Sequence, residues 1–194
     1  MRTGEKEIFV FGGPNGAGKT TMANRLLPGR LSVVEFVNAD EIARGLSPFD
    51  AEQSTVAAGS AMIERIDSLA QAGRSFAFET TCAGHRHVRF IRRCRDAGYR
   101  VTLLFLWLPS AAVALERVAR RVESGGHRIA DAVVIRRYAA GLRNMRHHYL
   151  PLVDVGLIYD NSDEGGDLIA ERRQDGLFVI HDDTRWKSIE EATR

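Results

Sequence analysis

Cysteine is scarce. Cys82 and Cys94 stand twelve residues apart, with no second pair and no histidine at ligand spacing. That excludes a disulfide scaffold, argues against a thiolate metal centre and leaves two thiols expected to be reduced. Long apolar runs are also missing. The longest, Val101 to Pro109, is broken by Thr102 and falls well short of the roughly 20 residues that cross a bilayer, so it reads as a buried strand. The first residues, Met1 to Glu7, have no apolar signal region behind them, and the expected location is the cytoplasm. Strong charge of one sign is absent: 27 basic and 25 acidic residues leave a formal charge of +2. That tells against bulk binding to nucleic acid or membrane. No internal repeat or low-complexity tract occurs. What is left is an ordinary globular composition, 44% hydrophobic and 27% charged over 194 residues, enough for one well-buried core and a single domain spanning residues 1–194.

One segment stands out. After the apolar run Ile8 to Phe11 comes Gly12-Gly13-Pro14-Asn15-Gly16-Ala17-Gly18-Lys19-Thr20-Thr21. Gly13, four intervening residues and then Gly18-Lys19-Thr20 have the spacing with which backbone N–H groups wrap a di- or triphosphate. In such a loop the lysine reaches the β- and γ-phosphates, the threonine hydroxyl ligates Mg²⁺, and the following helix contributes the positive end of its dipole. Gly13 to Thr21 are the candidate nucleotide-binding residues, with Thr20 the metal ligand. The alternative is a glycine-rich turn without a ligand.

Five β-rich runs, Glu7–Phe11, Val33–Val37, Ser75–Phe78, Arg100–Trp107 and Val155–Tyr159, alternate with helical stretches. The alternation predicts an α/β/α three-layer fold with a five-stranded, mostly parallel sheet. Helical core stripes are expected at Val56, Gly59, Ile63, Ile66 and Ala70, at Phe90, Cys94 and Ala97, at Leu115, Val118 and Val122, and at Val134, Tyr138, Leu142, Met145 and Tyr149. Beyond Asn161, residues 163–194 read as a C-terminal β-hairpin and tail appended to the domain, with Asp175-Gly176 in its turn.

In a parallel sheet the ligand lies beyond the carboxyl ends of the strands. Asn38-Ala39-Asp40, Glu79-Thr80-Thr81 and Asp160-Asn161-Ser162 fall there. A carboxylate at Asp40 could accept a hydroxyl proton or help hold Mg²⁺, or it could cap the short helix that follows. Glu79 could hold substrate, position the metal through water, or cap a helix. Arg117, Arg120 and Arg121 cluster ahead of Gly125-Gly126, with Arg136-Arg137 beyond. Two arginine-bearing helices joined by glycines, over about residues 112–147, resemble a mobile lid that closes over a triphosphate and neutralises the transferring group; the alternative is a solvated basic face. Cys82, without a base partner, reads as a packed thiol.

These residues together resemble the zeta-toxin type of P-loop kinase. The landmarks run in order: the phosphate loop Gly13–Thr21, Phe36-Val37-Asn38-Ala39-Asp40-Glu41-Ile42-Ala43, Phe76-Ala77-Phe78-Glu79-Thr80-Thr81, Ala97-Gly98-Tyr99-Arg100-Val101, Arg117-Val118-Ala119-Arg120-Arg121-Val122, Gly125-Gly126-His127, Arg136-Arg137-Tyr138 and Tyr159-Asp160-Asn161-Ser162. The resemblance implies an ATP- or GTP-dependent phosphotransferase with an alcohol group as acceptor. Lys19 and Thr20 would handle phosphates and Mg²⁺, Asp40 would be the base, and Arg117 and Arg121 would act from the lid. Asp40, Glu79, Thr80 and Arg128 would bind the acceptor. The resemblance further implies UDP-N-acetylglucosamine as that acceptor and a separate small antitoxin protein as partner. Two alternatives stay open: another small-molecule or polynucleotide kinase, and a nucleotide-gated regulatory module. The second lacks an Asn-Lys-x-Asp guanine signature, and its one Asp-x-x-Gly, Asp163–Gly166, follows the last core strand.

Overall fold

The computed structural model describes residues 5–31, 33, 35–46, 55–126, 128–163 and 166–194. His127, part of the second basic segment, and Val34, within the second predicted strand, lie outside them.

Seven strands form one sheet in the order β2-β3-β1-β4-β5-β6-β7: β1 (Glu7–Gly12), β2 (Phe36–Val37), β3 (Phe76–Thr80), β4 (Arg100–Trp107), β5 (Val155–Asp160), β6 (Asp167–Arg172) and β7 (Phe178–Ile180). The first five are parallel, as the alternation predicts. Central strand β1 shows why its run is apolar throughout: Ile8 and Val10 enter one core while Phe9 and Phe11 enter the other, so both faces are covered. Helices α3 (Thr55–Gln71), α4 (Arg86–Asp96), α6 (Asp131–Asn144) and α7 (Asp183–Ala192) pack on the first face. On the other, α1 (Lys19–Leu26) covers one half and α5 (Ala111–Glu123), joined by the start of α6, covers the region behind the phosphate loop. The remaining helix, α2 (Ala39–Leu46), follows β2. Among the described residues no helix is long and apolar enough to cross a membrane.

Three expectations change. The C-terminal hairpin is no appendage: β6 pairs antiparallel with β5, and its Ile169 and Ala170 are buried in the main core. The tail forms α7, whose Trp186 and Ile189 pack into that core and whose N-cap, Asp182, accepts from Arg185 N at 2.8 Å. In α3 the buried stripe is Ala58, Met62, Ile66 and Leu69: of the expected residues Ile66 is buried and Ile63 and Ala70 pack at the edge of the core, whereas Val56 is 82% exposed. The residue types at i, i+4, i+8 and i+11 fit a helix equally well, and position against the sheet decides the register. The stripe Val134, Leu142, Met145 and Tyr149 is buried as expected, with Tyr138 packed against it. On α6, Gly141 is required by space: a Cβ there would lie 2.3 Å from the Thr81 carbonyl oxygen, so the helix can approach the loop after β3 only as glycine.

Candidate active site

The end of β1 runs straight into the phosphate loop, which is held both by its neighbours and by itself. Gly13 N donates to Thr80 O at the end of β3 (3.2 Å), and Ala17 N donates to Pro14 O (3.2 Å), which closes the loop on itself. Gly16 has φ +78°, and a Cβ there would meet Arg117 Cβ at 2.9 Å and Ala114 O at 3.0 Å. Glycine lets the loop rest against α5, so that helix and the phosphate cradle are in contact. Pro14, Asn15 and Ala17 are buried. Gly18 caps α1, and Lys19, Thr20 and Thr21 form its first turn, where free N–H groups and the positive dipole end point at a ligand.

Lys19 Nζ donates to Pro14 O at 2.8 Å. Burial lowers its pKa, and the carboxylates of Glu79 and Asp40 oppose that shift. Glu79, on β3, has its own pKa raised by burial, with Lys19 and a hydrogen bond from Thr20 acting in the opposite direction. Its Oε1 is buried with no hydrogen-bond partner. An orphaned carboxylate oxygen beside a threonine hydroxyl, facing a phosphate cradle, is a fitting donor set for Mg²⁺, which takes one or two protein oxygens and completes its shell with phosphate and water. Among the described residues there is no group of three or more His, Cys, Asp or Glu that could hold a metal ion.

Asp40 lies within the first turn of α2, and the capping residue is Asn38, whose Oδ1 accepts from Asp40 N at 2.8 Å. Asn38 Nδ2 also reaches Thr20 Oγ1 at 3.4 Å. One asparagine thus sets both α2 and the candidate metal ligand. Half-exposed Asp40 is paired across the site with Arg121 of α5, NH1 to Oδ2 3.5 Å.

The other predicted residues divide. Thr80 Oγ1 accepts from Cys82 N (3.0 Å) and shares a hydrogen bond with His87 Nδ1 (3.2 Å). Its hydroxyl shapes the turn beneath the site. Arg117 donates from NH1 to Asn161 O (2.8 Å) and from NH2 to Ser162 O (2.5 Å), so its fork grips the turn after β5. Arg128 is exposed, with no hydrogen bond or ion pair to any described residue. Cys82 is buried and its thiol is pushed to about 12 by burial, which excludes a thiolate at neutral pH.

Two further residues enter the site, Arg137 from the second of the arginine-bearing helices and Asn161 from the turn after β5. Arg137 of α6 is partly buried, its pKa is lowered by burial while Asp40 acts to raise it, and it makes no hydrogen bond or ion pair with any described residue. A desolvated guanidinium beside a phosphate cradle is a ready anion partner. Its sequence signal was the Arg136-Arg137 doublet, of which only the second points inward. Asn161 donates from Nδ2 to Ala17 O at 2.7 Å, and with Gly18, Thr21, Met22, Arg117 and Asp163 it lines a cavity of about 490 Å³. A cavity of about 480 Å³ at the opposite end of the strands, lined by Lys6, Arg95, Tyr99 and Arg100, is remote from this chemistry.

A phosphate loop between a central parallel strand and α1, with paired helices carrying arginines over it, defines a P-loop kinase-like protein. Residues 8–145 match the AAA domain family, and the chain belongs to it. An uncharacterized protein of Haemophilus influenzae is 28% identical over 133 residues, 69% of this chain and 92% of that one. The crystal structure of AvrRxo1-ORF1:-ORF2 with ATP superposes with a TM-score of 0.74 at 17% identity, covering 98% of this chain and 65% of that one. This chain therefore spans just under two thirds of that neighbour's length. The PezAT chromosomal toxin-antitoxin system of Streptococcus pneumoniae gives a TM-score of 0.65 at 12% identity, covering 99% and 86%. A gluconokinase from Sinorhizobium meliloti gives 0.53 at 15%, covering 81% and 83%. These likenesses establish the fold.

Proposed function

We propose that the protein transfers the γ-phosphoryl group of ATP or GTP to a hydroxyl of a small acceptor. The observation that carries this reading is the convergence of Lys19, Thr20, Glu79, Asp40 and Arg121 at the mouth of the phosphate loop. Lys19 would leave the Pro14 carbonyl to contact the β- and γ-phosphates. Thr20 and Glu79 would hold Mg²⁺, which when bound neutralises phosphate charge. Asp40, oriented by Asn38 and Arg121, would accept the proton of the attacking hydroxyl. Arg121 and Arg137 would stabilise the equatorial oxygens as the phosphoryl group moves. Arg117, whose fork is engaged with backbone, would position the nucleotide pocket.

The acceptor we favour is UDP-N-acetylglucosamine, supported by the ordered zeta-toxin-like landmarks and the likeness to the PezAT structure, whose system carries an antitoxin. An antitoxin partner for this chain is part of the same proposal. The test is incubation with Mg²⁺, ATP or GTP and a panel of hydroxyl acceptors, with products weighed by mass spectrometry. A phosphorylated sugar nucleotide is the expected product. A different phosphorylated acceptor would remove the sugar-nucleotide claim, and hydrolysis alone across a broad panel would remove acceptor transfer.

A further inference from the structure

A chain of hydrogen bonds links the C-terminal helix, which lies outside the family's residues 8–145, to the phosphate loop. Arg185 on α7 is its hub. Nε bonds Asp160 Oδ2 at the end of β5 (2.7 Å), NH1 bonds Asp182 Oδ2 (2.7 Å), and NH2 lies 3.4 Å from Asp167 Oδ2. Asp160 is buried, and its other oxygen, Oδ1, accepts from Ser162 N (2.8 Å) and Ser162 Oγ (2.5 Å). Those bonds fix the turn 160–162. The same turn presents the carbonyls of Asn161 and Ser162 to Arg117 and the Asn161 amide to Ala17 O within the phosphate loop. Every side of the turn is thus held, and it forms one wall of the 490 Å³ cavity beside Gly18.

We propose that Arg185 is a positioning residue for the nucleotide: through Asp160 it sets the 160–162 turn, and the turn in turn sets the loop carbonyl at Ala17 and the fork of Arg117 against the cavity. The cavity adjoins the phosphate cradle, so the ligand class it takes is the nucleoside part of a nucleoside triphosphate. This inference rests on the kinase reading and deepens it. Its physical reason is geometric. The ladder ends at Asp160, and beyond it the carbonyls of Asn161 and Ser162 are held by the Arg117 side chain and not by a strand; Asp160 without its cation would be a buried carboxylate with a broken pair, which costs more than an exposed one and is relieved by movement of the turn. Lysine cannot replace the hub, because a single ammonium lacks the planar fork that meets three carboxylates at once.

The experiment measures dissociation constants for a fluorescent ATP analogue with Mg²⁺ in the full chain. Arg185→Gln and Asp160→Asn are each expected to weaken binding by about 5- to 20-fold, and the double variant by no more than the larger single effect, since both break one chain. In kinetics the KM for nucleotide should rise more than kcat falls. Ile189→Ala loosens α7 through its buried core contact without touching the chain, and is expected to lower Tm without the same loss of affinity. Unchanged affinity in folded Arg185→Gln, or an equal loss in Ile189→Ala, overturns the inference. Absence of nucleotide binding by the unaltered protein overturns the kinase reading itself, and this inference with it.

Discussion

If Asp40 removes the acceptor's proton, Asp40→Asn keeps shape and hydrogen bonding but loses the basic oxygen, and transfer should fall by roughly 10²-fold or more. Nucleotide affinity measured by calorimetry should change little. Affinity lost as severely as transfer would instead make Asp40 a metal or structural residue. His87 lies under the site, its ring 5.2 Å from Phe78 and its Nδ1 engaged with Thr80. Burial, with Arg86 adding to it, lowers its pKa from 6.5 to about 4. The folded state therefore prefers the neutral ring, so this contribution to stability is complete above pH 6.5. It is lost as the pH falls from there toward 4, because the unfolded chain takes up a proton that the folded chain refuses. The linkage amounts to at most about 3 kcal/mol. Denaturant melts at pH 7 and pH 4.5 should show the loss, and His87→Gln should flatten it.

At the scale of elements, the arginine-bearing helices and the sheet differ in how far the sequence reveals them. Arg121 pairs with Asp40 across the site, and Arg137 approaches from the next helix. Because a planar fork differs from a point charge even when charge is conserved, Arg121→Lys and Arg137→Lys should each lower turnover by about tenfold or more. Steady-state kinetics with unchanged rates in both would mean a solvated basic face. Four of the five parallel strands and the two arginine-bearing helices were legible because their apolar runs are long and their breaks sharp, whereas among the described residues of the run Val33–Val37 only Phe36 and Val37 form strand. Strand β7 has three residues and no buried face, while α7 hides behind a polar opening, Asp182-Asp183-Thr184-Arg185, that reads as tail until its cap is recognised. The register of α3 was ambiguous because alanine and methionine, not valine, occupy its inner face. Around the loop, whose spacing marked it, Asp40 and Glu79 were singled out by their places at strand ends, and the structure sets both near Lys19. The inward turn of Arg137 and the backbone engagement of Arg117 were not, because nothing in a run of arginines says which fork finds a carbonyl.

For the molecule as a whole, ligand and stability are linked. A nucleotide that binds only the folded chain adds about 2.7 kcal/mol at a hundred times its dissociation constant, which for a chain of this size is on the order of 5–10 °C in Tm. Thermal melts with and without Mg²⁺ and ATP should show that shift. Lys19→Ala should abolish it while leaving the melt of the free protein nearly in place. An equal shift in that variant would move nucleotide binding away from the phosphate loop. The position of β1 also imposes an order in time. Gly12 stands opposite Thr80 on one side and Phe105 on the other, and the Ala17 carbonyl is held by Asn161. Chains emerge from the ribosome N-terminus first, so the phosphate loop leaves the exit tunnel long before the strands and the turn that shape it have been synthesised. The phosphate loop is thus made before the strands and the turn that give it its working form, and it cannot cradle a phosphate in this way until Asn161 has been added.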